Sequence, residues 1–139
     1  MDLFSRAIEI AADAHRGQTD KGGEPYILHP LRVMQGVSGE AERIVAVLHD
    51  VVEDSGWTFE ALAAEGFGPQ ILEALACLTR RPDEDYDGFI ARLAPNPLAR
   101  AVKLADLTDN ANLARIPSPT DRDHARAAKY RRHIAALSA

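Results

Sequence analysis

The stretch that most restricts this 139-residue chain runs over positions 40–52, where Ala41, Ile44, Val45, Ala46, Val47, Leu48, Val51 and Val52 leave it apolar on nearly every side. A segment of that kind has to be surrounded by the rest of the protein. Its β-branched content also permits a strand. The run is longer than a usual strand, however, and opens with Glu40 and Glu42, acids that suit the positive end of a helix. The pattern therefore predicts one continuous central helix over 40–52, with His49-Asp50 near its end. An ionised carboxylate beside an imidazole is costly to bury among Val, Ile and Leu unless something compensates for it.

Around that centre the spacing predicts an all-α fold. Phe4, Ala7, Ile8, Ala11, Ala12 and Ala14 recur at threes and fours, giving a helix over 3–14. Gly17, Gly22, Gly23 and Pro25 then impose a loop over 15–26. A helix restarts over 28–37 with Pro30 in its first turn, where a missing N–H does no harm. Thr58 is an N-cap candidate for a short helix over 58–64, and Gly66, Gly68 and Pro69 separate it from another over 70–79. Further helices are expected over 86–93, from 98 to about 113, and over 121–137, the last one basic. No repeat, low-complexity tract or sheet-like alternation interrupts the pattern. A chain of this length buries roughly 70% of its unfolded surface, so a single compact helical domain over 1–139 needs no disulfide or structural metal for stability.

Charge and cysteine usage narrow the partners. Sixteen Lys and Arg against 21 Asp and Glu give a formal net charge of −5 without a long basic run, which disfavours a nucleic-acid polymer. Cys77 is the one cysteine, which excludes an intrachain disulfide and a Cys-rich zinc site, and reads as a small buried hydrophobe in a reducing compartment. The N-terminal residues lack a signal pattern and no run of about 18 apolar residues occurs, so a soluble cytoplasmic protein without membrane contact is expected.

His49-Asp50 points to a divalent cation, since imidazole and carboxylate donors suit a first-row metal with open positions. His29, at the start of its helix, and Asp106, in Lys103-Leu104-Ala105-Asp106, are two further ligand candidates; Asp106 alone is equally explained by pairing with Lys103 or Arg100 on its own helix. Glu53 and Asp54 lie one turn beyond His49 and Asp50, on the same face. Two more acids there repel one another unless a cation is near, and beside a cation they can orient a nucleophilic water or pass a proton to a leaving group. Asn110, one turn after Asp106, can hold a substrate oxygen or cap the helix.

His29-Pro30, Leu48-His49-Asp50-Val51-Val52-Glu53-Asp54, and Val102-Lys103-Leu104-Ala105-Asp106 with Asn110 resemble the HD-domain phosphohydrolases. More narrowly, with Ala14-His15-Arg16-Gly17-Gln18 and Gly23-Glu24-Pro25-Tyr26, they resemble the alarmone (ppGpp) hydrolase domain of the RelA/SpoT family and its small stand-alone relatives. The similarity extends to about Arg115. It implies that His29, His49, Asp50 and Asp106 ligate one divalent ion, typically Mn²⁺; that Glu53 and Asp54 handle the nucleophilic water; and that Lys21 and Asn110 contact the nucleotide. The implied reaction is hydrolysis of the 3′-pyrophosphate of ppGpp or pppGpp, and with nothing following Ala139 only hydrolysis, without synthesis, is expected.

An anionic substrate on an acidic protein also needs local cations. Arg16, Lys21 and Lys103 are the candidates, while Arg80 and Arg81 read as solvated surface charges. Two positions depart from the family pattern. Asp20 stands where a basic loop residue is usual, and Leu107-Thr108-Asp109 replaces Arg-Leu-His, so polyphosphate binding is expected to weaken. The substrate is then a guanosine alarmone, or alternatively another nucleotide or small phosphate ester; a third reading is a non-catalytic metal-binding helical module. The basic last helix can pack against a second copy, though an ordinary terminal helix, without homo-oligomerisation, is the simpler expectation.

Overall fold

Short-range caps set the helix boundaries. The computed structural model describes residues 2–139, and among them nine helices follow one another: α1 (Leu3–Ala14), α2 (Leu28–Gln35), α3 (Glu40–Leu48), α4 (Val51–Asp54), α5 (Phe59–Ala64), α6 (Pro69–Cys77), α7 (Tyr86–Leu93), α8 (Pro97–Ala111) and α9 (Asp121–Ser138). Asp2, Thr58, Asp85 and Asn96 each accept a hydrogen bond from a backbone N–H three residues on, opening α1, α5, α7 and α8. Thr120 and Asp123 form a reciprocal capping box at α9. Pro69 and Pro97 occupy first turns, where proline costs no hydrogen bond.

The all-α expectation holds, and α3 is the element the others surround. Ile44 to Leu48 are buried without a gap, and α1, α2, α6 and α8 all pack on α3. Ile10, Val33, Leu75, Val102 and Leu137 bring α1, α2, α6, α8 and α9 into one contiguous apolar cluster with it. Cys77 is only partly buried at its edge, less enclosed than expected. Among the described residues no helix is long and apolar enough to cross a membrane.

The central helix departs from expectation at its end. It does not continue over 40–52: α3 stops at Leu48 and α4 begins at Val51. Asp50 has φ −105° and ψ 0°, in the sparsely used region between helix and strand that turns a backbone sharply. The His49 N–H tightens onto the Ala46 carbonyl, three residues back rather than four. The apolar pattern runs through this break unchanged. At the break the side chains of His49 and Asp50 turn inward, where His49 meets Asp106 and Asp50 meets Tyr26.

The loop over 15–26 is organised by its own backbone. Thr19 and Pro25 form an isolated antiparallel bridge, and Asp20 Oδ1 accepts from the N–H groups of Gly22 and Glu24 at 2.9 and 3.0 Å. A Cβ on Gly22 would lie 2.6 Å from the Arg115 carbonyl oxygen, so glycine lets this loop close against the segment after α8.

Candidate metal centre

Three elements supply four side chains to one buried spot. His29 comes from the first turn of α2, His49 and Asp50 from the α3–α4 break, and Asp106 from α8, which packs on both α2 and α3. His29, His49 and Asp106 are each 4% exposed. Asp106 Oδ1 lies 2.9 Å from His29 Nε2 and 3.3 Å from His49 Nε2. Asp50 Oδ2 lies 3.1 Å from His49 Nε2 and 3.9 Å from His29 Nε2. One donor atom from each of His29, His49 and Asp50 falls within 4.8 Å of the others, and Asp106 closes the set against both imidazoles.

The surrounding hydrogen bonds fix which atoms face inward. His49 Nδ1 lies 2.6 Å from the Ala46 carbonyl oxygen; a carbonyl only accepts, so this nitrogen carries the proton and Nε2 is the inward donor atom. His29 Nδ1 donates likewise to Asp109 Oδ2 at 2.6 Å. The Tyr26 hydroxyl donates to Asp50 Oδ2 at 2.5 Å. Lys103 Nζ donates to Asp106 Oδ2 at 2.9 Å and Asn110 Nδ2 to Asp106 Oδ1 at 3.1 Å. Every inward ligand atom thus belongs to a side chain steered by a named neighbour, the arrangement metal ligands require.

The electrostatics agree. Burial pushes the Asp106 carboxyl up, but Lys103 and the two imidazoles outweigh it and hold it well below the usual carboxylate range. Asp50 is held low in the same way against burial, chiefly by His49. Burial opposes charge on His29 and His49, yet the facing carboxylates raise both. Two carboxylates are therefore kept ionised around two imidazoles in an apolar core. That donor set fits a first-row divalent cation, which would replace protons as the positive charge between them.

Other expected site residues are placed unevenly. Glu53 and Asp54 sit on α4 directly beyond Asp50, both exposed. Glu53 Oε1 accepts from the Arg80 N–H at 2.7 Å. Burial and then the Asp50 charge raise the Asp54 carboxyl. Lys21 and Asn110 line a cavity of about 370 Å³ that His29 and Tyr26 join to the centre. Arg16 is not brought there: its side chain is 78% exposed and pairs with Asp13. Lys103 is not in the cavity wall either. It is buried behind Asp106, its Nζ over the rings of Tyr86 and Phe89 at 5.4 and 5.1 Å.

The two departing acids also differ from expectation. Asp20 is turned into its own loop backbone by Gly22 and Glu24. Asp109 is clasped by Arg32 Nε at 2.7 Å and by Arg115, besides His29. These partners hold its carboxyl down at about 2 against burial. It is no bare negative charge in the path of a phosphate.

Sequence reasoning missed Arg32, Arg115 and the positioning role of Tyr26, and it misread Asp109. It also passed over His15, whose buried ring packs on Tyr26 with centroids 4.9 Å apart and whose Nε2 lacks a protein partner. Among these, the motifs Ala14-His15-Arg16-Gly17-Gln18 and Gly23-Glu24-Pro25-Tyr26 were the signals available, for His15 and Tyr26.

A helical fold carrying His, His-Asp and Asp around one centre defines an HD-type domain. Residues 7–82 match the family described as HD domain, and the chain belongs to that family, whose members bind divalent metal. It is 34% identical over 119 residues to a guanosine-3′,5′-bis(diphosphate) 3′-pyrophosphohydrolase of Aquifex aeolicus, covering 77% of this chain and 17% of that protein. It is 30% identical over 132 residues to a probable GTP pyrophosphokinase of Mycobacterium leprae, covering 86% and 17%. The chain thus spans about a sixth of the length of these curated relatives. A solved structure described as a metazoan orthologue of SpoT that hydrolyses ppGpp superposes with a TM-score of 0.78 at 24% identity, over 99% of this chain and 85% of that one, which establishes the shared fold.

Proposed function

We propose that the protein is a metal-dependent phosphohydrolase that removes the 3′-pyrophosphate of ppGpp or pppGpp, yielding GDP or GTP and pyrophosphate. The observation that carries this reading is the convergence of His29, His49, Asp50 and Asp106 on one buried centre, with His29 also in the wall of a cavity lined by Lys21, Arg32 and Arg115. The names of the bacterial relatives support the choice of substrate.

His29, His49, Asp50 and Asp106 would hold the ion, with Mn²⁺ the proposed metal. A bound divalent ion supplies a nucleophile at neutral pH and shields charge developing on the phosphoryl oxygens. Tyr26 and Asp109 keep Asp50 and His29 aimed. In the reaction, a water oxygen bonds to the phosphorus next to the ribose, the bond from that phosphorus to the 3′ oxygen breaks, and the 3′ oxygen gains a proton. Asp54, with Glu53 beside it, is assigned the proton transfers; its raised carboxyl is nearer the range where a side chain both accepts and returns a proton. Lys21 and Asn110 contact the nucleotide, and the apolar side chains of Leu113, Ile116 and Tyr130 offer a wall for a planar base. A small soluble nucleotide and the unpaired Cys77 fit a cytoplasmic setting.

The test is a screen of the purified protein with Mn²⁺ against ppGpp and a panel of nucleotides and phosphate esters. Conversion of ppGpp to GDP and pyrophosphate, abolished in Asp50→Ala, is expected. Turnover of other esters only would replace the substrate, and metal binding without turnover of any compound would leave a non-catalytic module.

A further inference from the structure

We propose that Arg115 is the specificity-determining residue that binds a second anionic group of the substrate, the phosphate on the 5′ side of a nucleoside, from a part of the cavity wall where Asp109 stands between it and His29. This deepens the hydrolase reading and rests on it for the orientation of the substrate. The cavity has the metal ligand His29 in its wall together with Lys21, Arg32, Arg115 and Arg126. Arg126 is neutralised by its ion pair with Asp123. Asp109 is shared by Arg32 and Arg115, so one of these two guanidinium charges is surplus to it.

The geometry says which one is free to move. Arg32 grips Asp109 through Nε at 2.7 Å and its terminal nitrogen at 3.2 Å. Arg115 makes only long contacts to the same residue, at 3.3 and 3.4 Å, and its Nε is buried without a partner. A buried guanidinium N–H left unpaired is costly, and an arriving phosphate oxygen is the acceptor that would satisfy it. Arg115 follows the end of α8, and its own carbonyl abuts Gly22, so it stands between α8 and the loop carrying Lys21. If Arg115 leaves Asp109, Arg32 and His29 still occupy that carboxylate, and the aim of His29 is kept. The cation that the family pattern has in place of Leu107-Thr108-Asp109 is in this way supplied from position 115.

The test separates nucleotide binding from hydrolysis by using GDP, which has the 5′ phosphates and no 3′ group. Binding of GDP and of guanosine to the Mn²⁺-loaded protein is measured by calorimetry, for the wild type, Arg115→Gln and Arg115→Lys. The wild type is expected to bind GDP more tightly than guanosine. Arg115→Gln should weaken GDP about 10- to 100-fold, the worth of a charge-assisted hydrogen bond, with guanosine and Mn²⁺ affinities unchanged. Arg115→Lys should recover part of the loss. In the hydrolysis of ppGpp, Arg115→Gln should raise KM with little change in kcat. Equal affinity of the wild type for GDP and guanosine, an undiminished GDP affinity in Arg115→Gln, or parallel losses for both ligands overturns the proposal. Discrimination between GDP and guanosine that is lost in Arg115→Gln, without ppGpp turnover by the wild type, would instead remove the hydrolase reading and leave Arg115 as a phosphate-binding residue.

Discussion

At the scale of single residues, Asp109 has the widest reach. Its carboxylate accepts the hydrogen bond from His29 Nδ1 and fastens Arg32 and Arg115, so one side chain sets both the aim of His29 and the position of two of the cavity's cations. Asp109→Asn keeps the shape and removes the charge that makes His29 a better donor. It is expected to weaken Mn²⁺ binding about 10- to 100-fold, read by metal titration of the folded protein. Unchanged affinity would reduce Asp109 to an ordinary ion-pair partner. This role was illegible in the sequence because His29 and Asp109 are 80 positions apart, and residue type alone marked Asp109 only as an unwanted acid. His29, His49, Asp50 and Asp106 were legible because each is a chemically expensive residue in an otherwise apolar setting. Arg16 and Lys103 show the limit of reading cations from composition: one is paired on the surface, the other behind a ligand.

At the scale of elements, local chemistry announced most of the helices. The expected starts at 58, 70 and 98 each lie within one residue of the observed ones at Phe59, Pro69 and Pro97, because Thr58 and the two prolines, read as breaks but found in the first turns, carry the signal locally. The α3–α4 break is not legible in the apolar pattern, since Val51 and Val52 extend the same face while Tyr26 and Asp106, far away in sequence, meet Asp50 and His49 inside. On α8, Lys103 and Asp106 form a buried pair one turn apart, under Tyr86 and Phe89 from α7. Lys103→Met would leave Asp106 with less positive charge in a buried place. Removing one partner of a buried pair costs about 3–5 kcal/mol, so the metal-free variant should melt well below the wild type. Saturating Mn²⁺ supplies the missing charge and should narrow the gap in melting temperature. A gap equally wide with and without Mn²⁺ would mean that Lys103 contributes through packing alone.

At the scale of the molecule, the net charge of −5 gave no hint of how its cations are distributed, which became visible only once the chain closed. Lys21, Arg32 and Arg115 gather at the cavity from three separate segments, while much of the acid-base pairing holds elements together elsewhere. Arg92 is one such tie. It donates to both Glu84 carboxylate oxygens, at 2.7 and 2.9 Å, and to the Thr79 carbonyl oxygen, pinning the α6–α7 connection onto α7. The hydrogen bonds from Arg92 pull the Glu84 carboxyl down to about 2, from an ordinary value of 4.5. A carboxyl lower in the folded than in the unfolded state stabilises the fold fully above its unfolded value and loses that contribution as pH falls toward its folded one. Urea midpoints of the wild type and Glu84→Gln, measured without metal from pH 8 to pH 3, should therefore differ by a constant amount down to about pH 5 and converge below it. Taking the difference between the two proteins cancels the titration of the other groups to the extent that they titrate alike in both. A separation that persists unchanged to pH 3 would show that the Glu84 charge is not what holds the connection.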